Sequence, residues 1–235
     1  VKIETMRHLY RFDPRAAEPP SEFNYGCSLA RFLCYVLLQV LQEDCGVRYN
    51  PARKFKPEFC EPEDVFIHGI IDEARAGGTC ASMPVVYVAV GRRLGLPLKL
   101  VEGREHLFFR WDDPRGTVIR WPNLGECWIP SDRFNVEGAG EGIAYHDDSH
   151  YIQWPHLWTE VDFAHGRYLR SLSAKEEFAS FLIQRGECFW DLGQHLEALK
   201  AYHFARLLVP EDDRYERLHG GRQFQYDQLQ RHELE

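Results

Sequence analysis

Apolar residues recur at spacings of three and four over residues 23–45, through Leu29, Phe32, Leu33, Val36, Leu37, Val40 and Leu41, which predicts an amphipathic helix. Gly46 follows as its stop. Residues 49–63, rich in Pro, Lys and Glu, read as a surface loop, and residues 64–73 as a short helix despite Gly69. The run VVYVAV at 85–90 has strand propensity. Its ending decides otherwise: Arg92 and Arg93 suit a helix C-terminus, Gly95 suits a left-handed cap, and Pro97 stops the chain beyond. A buried helix is therefore predicted over 81–94, with Pro84 in its first turn.

The period then changes to two. Strands are predicted over 98–102, 105–111, 117–121 and 133–137, with Asp112-Asp113-Pro114-Arg115-Gly116 as a hairpin turn. On the second strand His106, Phe108 and Arg110 share one face, and Leu107, Phe109 and Trp111 the other. A helix followed by an antiparallel meander gives an α+β fold, with a helix-borne residue packed on an antiparallel sheet. Residues 138–165 read as a long irregular loop. Ser173-x-x-Glu176 is a capping box opening a helix. Gly186, Phe189, Ala198, Tyr202, Ala205 and Pro210 then fall in register with a tetratricopeptide unit. One such unit cannot stand alone, so residues 166–235 are expected to pack as a helical region on a domain of residues 1–165. The tail from Asp213 is polar, and helical or frayed.

Composition narrows the function. A length of 235 residues with 44% hydrophobic positions allows a sizeable core. The net charge of −8 argues against a nucleic-acid partner. No run approaches the roughly 18 apolar residues of a membrane span. The seven cysteines contain no Cys-x-x-Cys. An odd count without a secretory signal is expected to stay reduced in the cytoplasm.

One cysteine stands out. Cys80 follows Gly77-Gly78-Thr79 and opens the predicted buried helix, where a helix dipole favours thiolate. His106 lies on a strand downstream, and Glu137 on a later strand can accept the second imidazole N–H. Cysteine, histidine and acid in this order follow the logic of a catalytic triad. The segment between them, TVIRWPNLGECWIPSD, reads as an inserted hairpin or as the source of the acid, with Asn123 and Asp132 as rivals to Glu137. The Cys80 N–H is a candidate oxyanion donor. A second chemical candidate is the 146–156 stretch. Its His146, Asp147, Asp148, His150 and His156 could ligate a metal, while Tyr145, Tyr151, Trp154 and Trp158 could wall a substrate cleft.

At GGTCASMPVVYVAVGRRLGLPLKLV, HLFFRWDD and RFNVEG the chain resembles the transglutaminase-like superfamily of papain-related cysteine enzymes, over roughly residues 67–137. Bacterial members with a tetratricopeptide-like helix pair look closest. The resemblance implies a Cys80–His106–Glu137 triad that hydrolyses or transamidates an amide, peptide or thioester bond, with no cofactor or metal. A peptide or protein substrate is expected, and a protein partner through the C-terminal helices is possible. The competing readings are an inactive transglutaminase-like protein-binding module and a metal-dependent hydrolase using the histidine loop.

Overall fold

Ser28 caps the first helix of the computed structural model, which describes residues 28–54, 61–71, 77–121 and 125–232. Its hydroxyl accepts the Arg31 N–H, and α1 runs over Leu29–Gln39. The final turn, Val40–Asp44, loosens to a π-helix before Gly46, which takes φ +71°. The part of the expected helix before Ser28 lies outside the described residues. Two short helices, α2 (Pro62–Val65) and α3 (His68–Ile71), replace the single helix expected over 64–73. The chain bends between them because it passes close to itself: a Cβ on Gly69 would stand 1.8 Å from the Glu63 carbonyl oxygen. The described part of the 49–63 segment is also more than a loop. Asn50 is buried there, and its amide donates to the buried Asp64 of α2 at 3.1 Å.

Helix α4 spans Met83–Arg93, with Pro84 in its first turn and Gly95 at φ +84°. The Leu96 N–H returns to the Gly91 carbonyl at 2.9 Å, closing the C-terminal cap as its glycine and arginines imply. Strands β1 (Leu98–Gly103), β2 (His106–Asp113) and β5 (Asp132–Val136) form an antiparallel sheet in the order β1-β2-β5. The expected meander is corrected here. Although Gly116 turns the chain after β2, β3 (Thr117–Trp121) leaves the sheet and pairs with β4 (Gly125–Ile129). The GECWI strand was not expected, because its apolar positions are few. The 117–129 stretch is therefore an inserted hairpin, and β5 returns to pair with β2.

The main core lies between one face of the sheet and the helices. Leu33, Leu37, Met83 and Tyr87 meet Leu98, Leu100, Phe109 and Trp111, all at most 2% exposed. Phe108 points the other way, into a second cluster with Val101 and Tyr151, so β2 is buried on both faces. That second layer comes from the stretch expected to be irregular, which holds α5 (Asp148–Gln153) and α6 (Glu160–His165). Thr159 and Asp162 make a capping box for α6.

Residues 169–172 run along the free edge of β1, where Leu172 N–H bonds Leu100 O and Leu169 N–H bonds Glu102 O. Helices α7 (Ala174–Asp191), α8 (His195–Leu208) and α9 (Asp213–His232) follow. Ser173 and Glu176 form the expected capping box. Side chains also tie the helices to the rest. Arg92, at the end of α4, donates to both Glu177 carboxylate oxygens at 2.7 and 2.5 Å and to the Leu98 carbonyl at 2.9 Å. Cys188 packs against Ala81 and Val65, and Arg214 reaches Glu102 at 3.3 Å. Among the described residues no helix is long and apolar enough to cross a membrane.

The expected small-residue contact is present in the helix pair. A Cβ on Gly186 of α7 would stand 2.3 Å from the Tyr202 ring of α8, and Tyr202 is fully buried. Gly186→Ala is thus expected to overpack the pair and lower stability by about 1–3 kcal/mol. Urea denaturation measures this; an unchanged midpoint would show that the close approach carries no constraint.

Candidate functional site

The backbone around Cys80 is built by its neighbours. Gly78 pairs with the 48–50 segment: its N–H bonds Arg48 O at 2.9 Å, and its carbonyl accepts Asn50 N–H at 2.8 Å. Gly77 needs its glycine, since it sits at φ +122° with the Arg48 carbonyl 2.4 Å from where a Cβ would be. Thr79 and Ser82 both donate their hydroxyls to the Asp64 carbonyl, at 2.7 and 2.9 Å. The result is a fixed turn over residues 80–82, and the helix proper begins at Met83. Cys80 therefore precedes the helix by a turn's breadth instead of opening it. Its side chain is half-buried, and its backbone N–H has no hydrogen-bond partner among the described residues.

His106 starts β2 and is 7% exposed. Its Nε2 donates to Glu137 Oε2 at 2.7 Å. Cys80 lies near enough to the ring to raise its pKa, while Nε2 is committed to Glu137. Strand register explains the carboxylate. Arg110 pairs with Asn135, so residues 135 and 137 share the face of β2 that carries Arg110, Phe108 and His106. Glu137 stands just past β5, where it bridges Ala144. Its Oε1 accepts the Ala139 N–H at 2.9 Å, and the Tyr151 hydroxyl donates to its Oε2 at 3.5 Å.

Burial of the imidazole pulls its pKa down, because charge is costly out of water. The hydrogen bonds with Cys80 and Glu137, and their negative charges, outweigh this and raise it from 6.5 to about 9. Tyr49, paired through its backbone with Gly78, is pushed up to about 12, first by burial and then by the charges of Cys80, Asp64 and Glu137. Burial pushes the Cys34 thiol well above its ordinary range, which suits an inert core cysteine.

The rivals for the acid fall away from this ring. Asp132 pairs with Asp113 at the opposite end of β2, about 23 Å along the strand at ~3.3 Å per residue, and accepts the Ser28 hydroxyl. Asn123 lies outside the described residues. The 146–156 stretch does not converge on a donor set. Asp148 accepts from Arg110 and Asn135, His156 faces Glu105 at 3.2 Å, and His146 and His150 stack 3.9 Å apart. No cluster of three or more His, Cys, Asp or Glu side chains spaced for a metal occurs among the described residues.

A cleft of about 750 Å³ opens beside Cys80 and His106. Gly103, Glu105 and Leu107 line it from the sheet, and one face of α7 lines it opposite. None of the four aromatics expected to wall it does so. Tyr151 and Trp154 instead enclose the histidine: Tyr151 stacks on Phe108 with ring centres 3.7 Å apart, and Trp154 meets His106 edge-on at 4.7 Å. Tyr145 packs on Phe134, and Trp158 on Phe163 and Tyr168. The contribution of α7 was missed because its inward residues are polar and fall outside the tetratricopeptide positions.

Comparison with protein-family models, curated proteins and solved structures finds no match to the chain.

The raised histidine pKa fixes a pH dependence. A folded-state value of about 9 against 6.5 contributes stability that is complete below pH 6.5 and lost as pH rises through about 9. Thermal melts should therefore fall more steeply between pH 6.5 and 9.5 in the wild type than in His106→Ala. Parallel curves would show that the ring gains nothing from its two partners.

Proposed function

We propose that the chain is a cysteine-nucleophile acyl-transfer enzyme of transglutaminase-like, papain-related type, which hydrolyses or transamidates an amide or peptide bond. The observation that carries this reading is the grouping of three side chains at an open cleft: His106 donates to Glu137 at 2.7 Å, Cys80 raises the ring's pKa, and Cys80 and His106 both line the cleft. The resemblance at residues 77–101, 106–113 and 133–138 supports the same assignment. Free thiols at Cys34, Cys45, Cys80 and Cys127 fit a reducing compartment such as the cytoplasm.

In the proposed reaction an imidazolium at His106 sits beside a Cys80 thiolate, the nucleophilic form of the sulfur. Sγ bonds to the acyl carbon, and the carbonyl electron pair moves to oxygen. The Cys80 N–H, without a partner among the described residues, is one donor for that oxyanion. Collapse of the adduct breaks the carbon–nitrogen bond while Nδ1 protonates the departing amine. Neutral His106 then takes a proton from water or from an incoming amine as it attacks the thioester. A second collapse releases the acid or the new amide and restores the thiolate. Glu137 keeps Nε2 protonated throughout, so Nδ1 is always the nitrogen that exchanges the proton.

Iodoacetamide labelling followed by mass spectrometry tests the assignment. At pH 7 Cys80 should alkylate faster than the exposed Cys45, and His106→Ala should slow Cys80 by roughly 10²-fold or more, the range of a general acid–base partner. A peptide thioester should leave a trapped acyl group on Cys80 and none on Cys80→Ala. Cys80 and Cys45 reacting alike, with no adduct, would leave only a binding module.

A further inference from the structure

The face of α7 that lines the cleft carries Ser180, Phe181, Ile183, Gln184, Glu187 and Asp191, at spacings of one, two, one, three and four residues. These positions form one stripe along the helix. The stripe is mostly polar and mostly uncommitted. Ser180, Gln184 and Asp191 make no side-chain hydrogen bond or ion pair among the described residues, whereas Glu187 is held by Arg222 and the Tyr202 hydroxyl. From Ser180 to Asp191 the helix rises about 16 Å at ~1.5 Å per residue, the length of about five residues of extended chain.

The stripe is fixed relative to the sulfur. Cys188, one turn from Gln184 on the adjacent face, packs against Ala81, the residue after Cys80. The Arg92–Glu177 pair anchors the start of the same helix. Charge across the cleft is one-sided. Among the described residues Arg214 is the one lysine or arginine lining it, and its guanidinium is spent on Asp212 at 2.6 Å and Glu102 at 3.3 Å. Among the described residues Glu105 faces the exposed His156, and neither it nor Asp191 pairs with a lysine or arginine.

We propose that α7 is the specificity wall of the cleft: Ser180, Gln184 and Asp191 read an extended polypeptide segment bearing basic side chains as it lies across Cys80. Polar groups spaced along a helix face offer hydrogen bonds to successive peptide units, and the cleft is open to solvent. The proposal rests on the acyl-transfer reading of Cys80, and it gives the appended helices a role in substrate choice as well as packing.

The test uses the full chain and two pools of acetylated, amidated hexapeptides that differ only in carrying Lys and Arg or Asp and Glu at the varied positions. Each pool is scored by its protection of Cys80 from iodoacetamide. The basic pool should protect at about ten-fold lower concentration than the acidic pool. Asp191→Asn and Gln184→Ala should each raise the basic pool's half-protecting concentration about five-fold, with the unprotected Cys80 rate unchanged. Equal protection by both pools, no protection by either, or variants indistinguishable from wild type would overturn the wall. Failure of the catalytic reading looks different: Cys80 then alkylates no faster than Cys45 even without peptide.

Discussion

A charged imidazole buried in protein survives only if its partners replace the water it has lost. His106 meets that condition through two neighbours. One ring nitrogen donates to Glu137 at 2.7 Å, and Cys80 lies near enough to raise the ring's pKa. Much of the surrounding structure serves this contact. The Thr79 and Ser82 hydroxyls tie the cysteine turn to Asp64, and the β2–β5 register puts Glu137 on the histidine's face. The buried Arg110 binds Asn135 and Asp148, at 2.6 Å each. That network holds α5, which in turn brings Tyr151 and Trp154 around the ring.

The C-terminal helices are part of the same arrangement. Their entry segment extends the sheet beyond β1, and their first helix is clamped to the end of α4 by Arg92 and Glu177. A bidentate arginine–carboxylate pair fixes direction as well as distance. The cleft consequently has one wall from the sheet and one from the helices, with the thiol between them.

The sequence made several of these features readable because each rests on a local rule. Helix α4 overrode the strand propensity of VVYVAV because Arg92, Arg93, Gly95 and Pro97 all marked a helix end. The period of two exposed β1, β2 and β5 and put His106, Phe108 and Arg110 on one face. Gly186 and Tyr202 announced a close helix contact by residue size alone. What stayed hidden depends on long-range pairing. No local signal says that β3 abandons β2 for β4, since a Gly-containing turn permits either partner. The helices within 148–165 are six residues each, too short to show a period. The cleft-lining stripe of α7 carries no signal of its own, because nothing in the sequence shows that the cleft lies opposite it. Glu137 was separable from Asp132 only once the strand register set them at opposite ends of β2.

The most direct measurement is an NMR titration of the His106 ring in protein labelled with nitrogen-15 at histidine, in the wild type, Cys80→Ser and Glu137→Gln. A thiol and a carboxylate sharing the ring require a wild-type pKa near 9, falling toward 6.5 when either partner is replaced. A wild-type ring that titrates at 6.5 or below, and does so unchanged in both variants, would contradict the coupled site.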